Sequence, residues 1–110
     1  MTDIAIVRVT FADWTEAERI AEVVIDEQLA ACVNVEHRCR SIYRWQGKVE
    51  RSVELPALFK TTLALAQPLA DRIAALHGHD LPAIEIWPVA VAVEIADWVA
   101  TETDARPSDA

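Results

Sequence analysis

Glycine is nearly missing from this chain of 110 residues: only Gly47 and Gly78 occur. That scarcity excludes the G-x-G-x-x-G dinucleotide fingerprint and the Walker-type phosphate loop, so a phosphate site would need other donors. Cysteine is as scarce, with Cys32 and Cys39 alone and no Cys-x-x-Cys. Met1 is followed at once by Thr2-Asp3, without a basic stretch or a long apolar run. The expected location is therefore the cytoplasm, where two thiols stay reduced. No apolar run approaches the roughly 20 residues that a membrane-spanning helix needs, so a membrane is not an expected partner. Bases are outnumbered, 10 against 18 acids, for a net charge of −8 and a pI near 4.7. Without a basic stripe the main source of non-specific nucleic-acid affinity is missing, and DNA and RNA are poor partners.

What the chain does have is apolar side chains, 53% of the total, beside an ordinary 25% charged. That balance belongs to a folded domain. The length fits a single domain over residues 1–103, with 104–110 a polar tail expected to be disordered. A domain this small buries only about 60–70% of the surface its unfolded chain exposes. A subunit interface would absorb the apolar excess.

Ile4, Ile6, Val7 and Val9 form a β-branched run read as a mostly buried strand. Thr15 with Glu18 makes a capping box, and Ala17, Ile20, Ala21 and Val24 recur at helical spacing, predicting a helix over about 15–29. Ala31 to Thr61 is a long hairpin turning at Gln46-Gly47, where glycine supplies a positive φ. Alternation sets Tyr43 and Trp45 on one face of its first arm, and Val49, Val53, Leu55, Ala57 and Phe59 on one face of the second. Pro56 marks an edge or a bulge. A second helix starts near Gln67, with Pro68 in its first turn, Leu69, Ile73 and Leu76 inward and Gly78 as its stop. Ile84 to Val89 is a strand, and Val91 to about Thr103 a third helix or a mixture, with Ile95, Trp98 and Val99 on one side.

The order is that of an α+β, ferredoxin-like βαββαβ fold with a C-terminal helix added. Hairpin arms of about 14 residues reach roughly 45 Å at 3.3 Å per residue, too far for a lone globule to cover. Their far end should pair with another subunit.

Catalytic constellations are poorly represented, and the expectation is a protein without enzymatic activity. Ser41 and Ser52 lack the G-x-S-x-G setting of a nucleophile elbow, and a Cys32 nucleophile would need a histidine brought to it by the fold. Glu50 and Glu54 share a strand face about 13 Å apart, too far for an acid and base pair. Metal ligands are better represented. His37 with Cys39, and His77 with His79, are i, i+2 pairs, which on a strand share a face. The plain readings beside that one are a loop or bulge for His37 and Cys39, a small buried hydrophobe for Cys32, and a helix-dipole partner for His77. Arg38, Arg40, Arg44, Lys48 and Arg51 place half of all bases within 14 residues of the hairpin. They either guard strand edges or meet an acidic surface on a neighbouring subunit. Tyr43 and Trp45 suit an interface anchor or the wall of a small-ligand pocket.

Ala31-Cys32-Val33-Asn34-Val35, then Ser41-Ile42-Tyr43-Arg44-Trp45-Gln46-Gly47-Lys48-Val49-Glu50, then Glu54 and Lys60-Thr61-Thr62 resemble the CutA divalent-cation tolerance family. The resemblance extends upstream through Ile6-Val7-Arg8-Val9-Thr10 and downstream to Leu76-His77 and Pro82-Ala83-Ile84, covering about residues 4–100. It implies a homotrimer similar in architecture to the PII signalling proteins, with long hairpins pairing between subunits. It also implies tolerance of copper or another divalent cation, and no organic cofactor. Carried across by position, Cys32 and His77 are the implied copper ligands, and Tyr43, Trp45, Glu54 and Lys60 line an intersubunit ligand cleft. The chain departs from the family pattern in having Gly78-His79 where Pro-Tyr is usual and Ala83 where an acid often follows the proline. His79 stands as a substitute ligand. The alternative function is a PII-like signalling module that binds a small anionic metabolite in the cleft through Lys60 and arginines and acts on an unidentified protein partner.

Overall fold

The structure, a computed structural model, describes residues 1–79 and 81–104. Alternation along β1 (Thr2–Phe11) sends Ala5, Val7, Val9 and Phe11 to one side, all fully buried. β1 is the central strand. It pairs antiparallel with β4 (Lys48–Thr61), Val7 facing Phe59, and with β5 (Ile84–Val91), Val7 facing Ile86. β2 (Cys32–Val35) lies on the far side of β4, giving the order β2-β4-β1-β5, and β3 (Cys39–Trp45) pairs with the distal half of β4. This is the strand order of the expected ferredoxin-like βαββαβ fold.

α1 (Trp14–Asp26) and α2 (Ala66–Leu76) cover the face that carries Val7, Val9 and Phe11. Ala17, Ile20 and Val24 of α1 and Leu69, Ala70 and Ile73 of α2 are buried there with Ala57 and Phe59. The larger of these side chains each contribute about 1.5–3 kcal/mol by leaving water. Arg72 clamps Glu27 through two hydrogen bonds of 2.8 Å, tying the end of α1 to α2. α3 (Val93–Glu102) packs against β1 and β4 through the buried Val99, while Ile95 and Trp98 stay exposed. The expected inward side of this helix is thus only partly inward.

Several boundaries move: β5 runs on to Val91, α3 starts at Val93, α2 ends at Leu76 with His77 rather than Gly78 at its cap, and both ends of α1 differ. The cap of α1 is Asp13, whose Oδ1 accepts the Glu16 N–H at 2.9 Å, so the Thr15 and Glu18 box lies inside the helix. Its end is Asp26, three residues short of the expected end, because Gln28 turns left-handed (φ 59°) and the Leu29 N–H bonds back to Val24.

The hairpin is long, as expected, but its first arm is broken. Three residues, Glu36 to Arg38, oppose two, Leu55 and Pro56, between the Val35/Ala57 and Cys39/Glu54 pairs. That is a bulge with one extra residue. Pro56 sits at the break, with no N–H to give, while its carbonyl accepts the Glu36 N–H at 2.9 Å. Gln46 (φ 50°) and Gly47 (φ 80°) make the turn, both left-handed as a type I′ hairpin requires. The molecule measures 54 × 29 × 22 Å with a radius of gyration of 15.0 Å, against about 13 Å for a compact chain of this length. Leu55, Ala57 and Phe59 reach the core, whereas Val49 and Val53, on the same face, are more than half exposed. Of the expected tail, 104–110, residues 105–110 lie outside the described residues. No described helix is long and apolar enough to cross a membrane.

Candidate functional site

The sheet face away from α1 and α2 carries a cleft of about 750 Å³. Arg8 and Thr10 supply its floor from β1, Ser52 and Glu54 from β4, and Ser41, Tyr43 and Trp45 from β3. The placement follows from strand period and pairing: Ser41 faces Ser52, and Tyr43 and Trp45 continue the same face outward. After His77 the chain passes round the end of β1, so that Gly78, His79, Leu81 and Ala83 close the cleft from the side.

Glu54 is half-buried at the floor. Burial opposes its ionisation, but hydrogen bonds with Ser41, Thr10 and Ser52 and the nearby His79 outweigh it and hold its pKa below the ordinary carboxylate value. The Ser52 hydroxyl donates to Oε1 at 3.2 Å. Arg8 is engaged loosely by Glu85 at 3.8 Å, and Glu85 also accepts the Trp87 indole N–H at 2.9 Å. The cleft floor therefore carries the Glu54 carboxylate among hydroxyls, with the Arg8 guanidinium beside it and aromatic walls.

Of the four residues expected in the cleft, Tyr43, Trp45 and Glu54 come together and Lys60 does not. Lys60 faces the same side but lies six residues along β4 from Glu54, opposite Cys32 and Ile6, roughly 20 Å away by strand rise.

Cys32 and His77 stand on opposite sides of the sheet. Cys32 pairs with Lys60, while its neighbour Val33 pairs with the core residue Phe59, so the thiol points away from the helices. His77 caps α2 on the helix side, with its ring buried and stacked on Phe11 at 5.1 Å and 19°. Both of its nitrogens are engaged: Nε2 lies 2.9 Å from the Thr10 carbonyl, and Nδ1 accepts the His79 N–H at 3.1 Å. The neutral Nε2–H tautomer satisfies both partners. Within one chain these two residues do not share a ligand position, and among the described residues no three His, Cys, Asp or Glu side chains converge as a metal centre.

Cys39, half-buried, lies 3.8 Å from the Ser41 hydroxyl. His37 and Arg38, on the bulge, line a second recess of about 550 Å³ with Trp14, Val35, Glu36 and Leu55. Sequence reasoning missed Thr10, Ser41 and Ser52 as cleft residues. The available signal was the alternation Ser41-x-Tyr43-x-Trp45 against Ser52-x-Glu54, which puts all five on one face.

The family model for CutA1 divalent ion tolerance proteins matches residues 5–102. The divalent-cation tolerance protein CutA of Thermus thermophilus is 39% identical over 99 residues, spanning 89% of this chain and 96% of that protein. The CutA of Pyrococcus horikoshii is 44% identical over 80 residues, 72% of this chain and 76% of its own. Among solved structures, CutA1 from Oryza sativa superposes with a TM-score of 0.88 at 29% identity, covering 96% of this chain and 97% of that one. CutA from Xylella fastidiosa does so with a TM-score of 0.87 at 35% identity, covering 94% and 100%. Matched by the family model over residues 5–102 and by solved relatives over nearly its whole length, the chain belongs to the CutA1 divalent ion tolerance family.

Proposed function

We propose that this protein is a homotrimer that binds or responds to a divalent cation, copper among the candidates, and that it acts without catalysing a reaction. The observation that carries the cation reading is Glu54, a carboxylate kept ionised inside a recess rather than on open surface. The Glu54 carboxylate offers a cation a charged oxygen ligand, and the Arg8 guanidinium at the same floor is partly offset by Glu85 at 3.8 Å. For the PII-like signalling alternative, in which a small anionic metabolite binds through Lys60 and arginines, Arg8 is the cation the recess supplies, since Lys60 lies outside it.

The trimer rests on surfaces that a single chain leaves uncovered. Among the described residues, β5 pairs only with β1, β2 and β3 only with β4, and the Lys48–Glu54 half of β4 only with β3, so strand edges are open at both sides of the sheet and along the hairpin. On these strands Ile42 is 68% exposed, Val53 54% and Trp87 41%, and Trp98 of α3 is 42% exposed. Apolar side chains of that size beside open edges fit a subunit interface. The basic hairpin, with Arg40, Arg44 and Arg51 alternating with Ile42, Val49 and Val53 on one face, meets an otherwise acidic chain. Cys32 and His77 lie on opposite faces of the sheet within one chain, so the cation reading does not rest on that pair.

Titrating Cu(II) or Zn(II) into chelator-treated protein tests the cation reading. Saturable binding at a fixed stoichiometry per chain that persists at physiological salt supports it. Non-saturating, salt-sensitive uptake is what a net charge of −8 produces by itself and contradicts it.

A further inference from the structure

Three groups meet where the chain rounds the end of β1. The first is the Glu54 carboxylate, surrounded by the hydroxyls of Thr10, Ser41 and Ser52. The second is His79, whose imidazole acts electrostatically on Glu54 and, among the described residues, makes no hydrogen bond; its backbone N–H alone is used, by His77. The ring packs against that of His77, at 4.7 Å between centroids and 58°. The third is Gly78, where an added Cβ would come within 2.7 Å of Glu16 Oε2. The absent side chain lets the loop that carries His79 lie against α1.

His77, by contrast, has no lone pair to offer a metal, since one ring nitrogen donates to Thr10 and the other accepts from His79. His79 is the imidazole with a free nitrogen, and it lies on the same recess as Glu54. One imidazole and one carboxylate form a borderline donor set, suited to first-row divalent cations such as Cu(II) and Zn(II) rather than to soft Cu(I). The recess of about 750 Å³ leaves room for water to fill the remaining coordination positions.

Resting on the cation-binding reading above, we propose that Glu54 and His79 are the protein ligands of a divalent transition-metal site in the cleft, and that the Cys32 thiol takes no part. His77 is then a positioning residue, which orients His79 through the bond to its backbone N–H. A site with two protein ligands binds more weakly than a closed four-ligand centre and releases its ion readily, which suits a tolerance or sensing role better than a structural one.

The test is Cu(II) sulfate added to the full-length, chelator-treated protein, followed by electron paramagnetic resonance and by competition for affinity. The wild type should show nitrogen coupling from one imidazole and no thiolate charge-transfer band. His79→Ala, at an exposed position and checked by circular dichroism and assembly mass, should lose the nitrogen signal. Glu54→Gln should weaken binding by at least the roughly tenfold that even an outer-shell change costs a metal site. Cys32→Ser should leave spectrum and affinity unchanged. Retention of the wild-type spectrum in His79→Ala, or its loss in Cys32→Ser, overturns this assignment while leaving cation binding intact. Failure of the wild type to hold any Cu(II) against physiological salt overturns the cation reading itself.

Discussion

His77 ties the end of α2 to β1 by a 2.9 Å hydrogen bond from Nε2–H to the carbonyl of Thr10, a residue 67 positions earlier in the chain. The ring is buried against Phe11, and its second nitrogen holds the His79 N–H. His77→Ala should therefore act as a core mutation. It leaves a cavity and an unpaired Thr10 carbonyl, and should destabilise the protein by about 2–4 kcal/mol in denaturant unfolding. A loss below about 1 kcal/mol would show that the strap is not structural.

Gly78 and Glu16 should be energetically coupled. A methyl at 78 meets the far end of the Glu16 side chain, at 2.7 Å from Oε2, and Glu16 Oε1 is buried without a hydrogen-bond partner. Gly78→Ala should cost more in the wild type than in a Glu16→Ala background, with a coupling of about 0.5–1 kcal/mol in a double-mutant cycle. Additive effects would place the Glu16 carboxylate elsewhere.

Acid stability should report Glu54. Its folded pKa lies below its ordinary value of 4.5, through the hydroxyls and His79 overcoming burial. The stability this confers is present above the unfolded value and is lost as pH falls through the folded one. In metal-free protein, Glu54→Gln should flatten the fall in melting temperature on acidification below about pH 4.5. An unaltered profile would mean that Glu54 titrates as an ordinary surface acid.

Charge placed on the uncovered apolar surface should break the assembly. Val53→Glu or Trp87→Glu would bury an uncompensated charge at a cost of about 3–5 kcal/mol, equivalent to a hundredfold or greater rise in the dissociation constant. Sedimentation should show smaller species, and these should also melt lower, because separated subunits lose part of their core. Unchanged assembly mass in both variants would place the interface on another surface.

Much of the fold is written in local patterns. The alternation in β1 and the Gln46-Gly47 turn each identify an element and its inward face without tertiary knowledge. The Thr15 and Glu18 box misplaces the start of α1 because a second capping pair, Asp13 with Glu16, lies two residues earlier and is the one the structure uses. Tertiary packing, with Ala17, Ile20 and Val24 inward, accompanies the earlier one. The bulge at 36–38 has no compositional mark beyond Pro56. Strand period alone makes legible that Tyr43 and Trp45 share one face, whereas Glu54 enters the recess reading only through the family resemblance. The site was not legible where partners come from distant segments: the two bonds of His77 depend on β1 and on the following loop. Lys60 shares the face of Glu54 yet lies far from it along the same strand, so its expected place in an intersubunit cleft depends on a second copy that one chain's pattern does not position.

Native mass spectrometry of the full-length protein, with and without Cu(II), tests both parts of the proposed function at once. A species at three times the 12.2 kDa chain mass that takes up a fixed whole number of copper ions is the predicted result. A monomer, or a trimer with only a broad, salt-sensitive spread of copper adducts, would contradict a cation-responsive trimer.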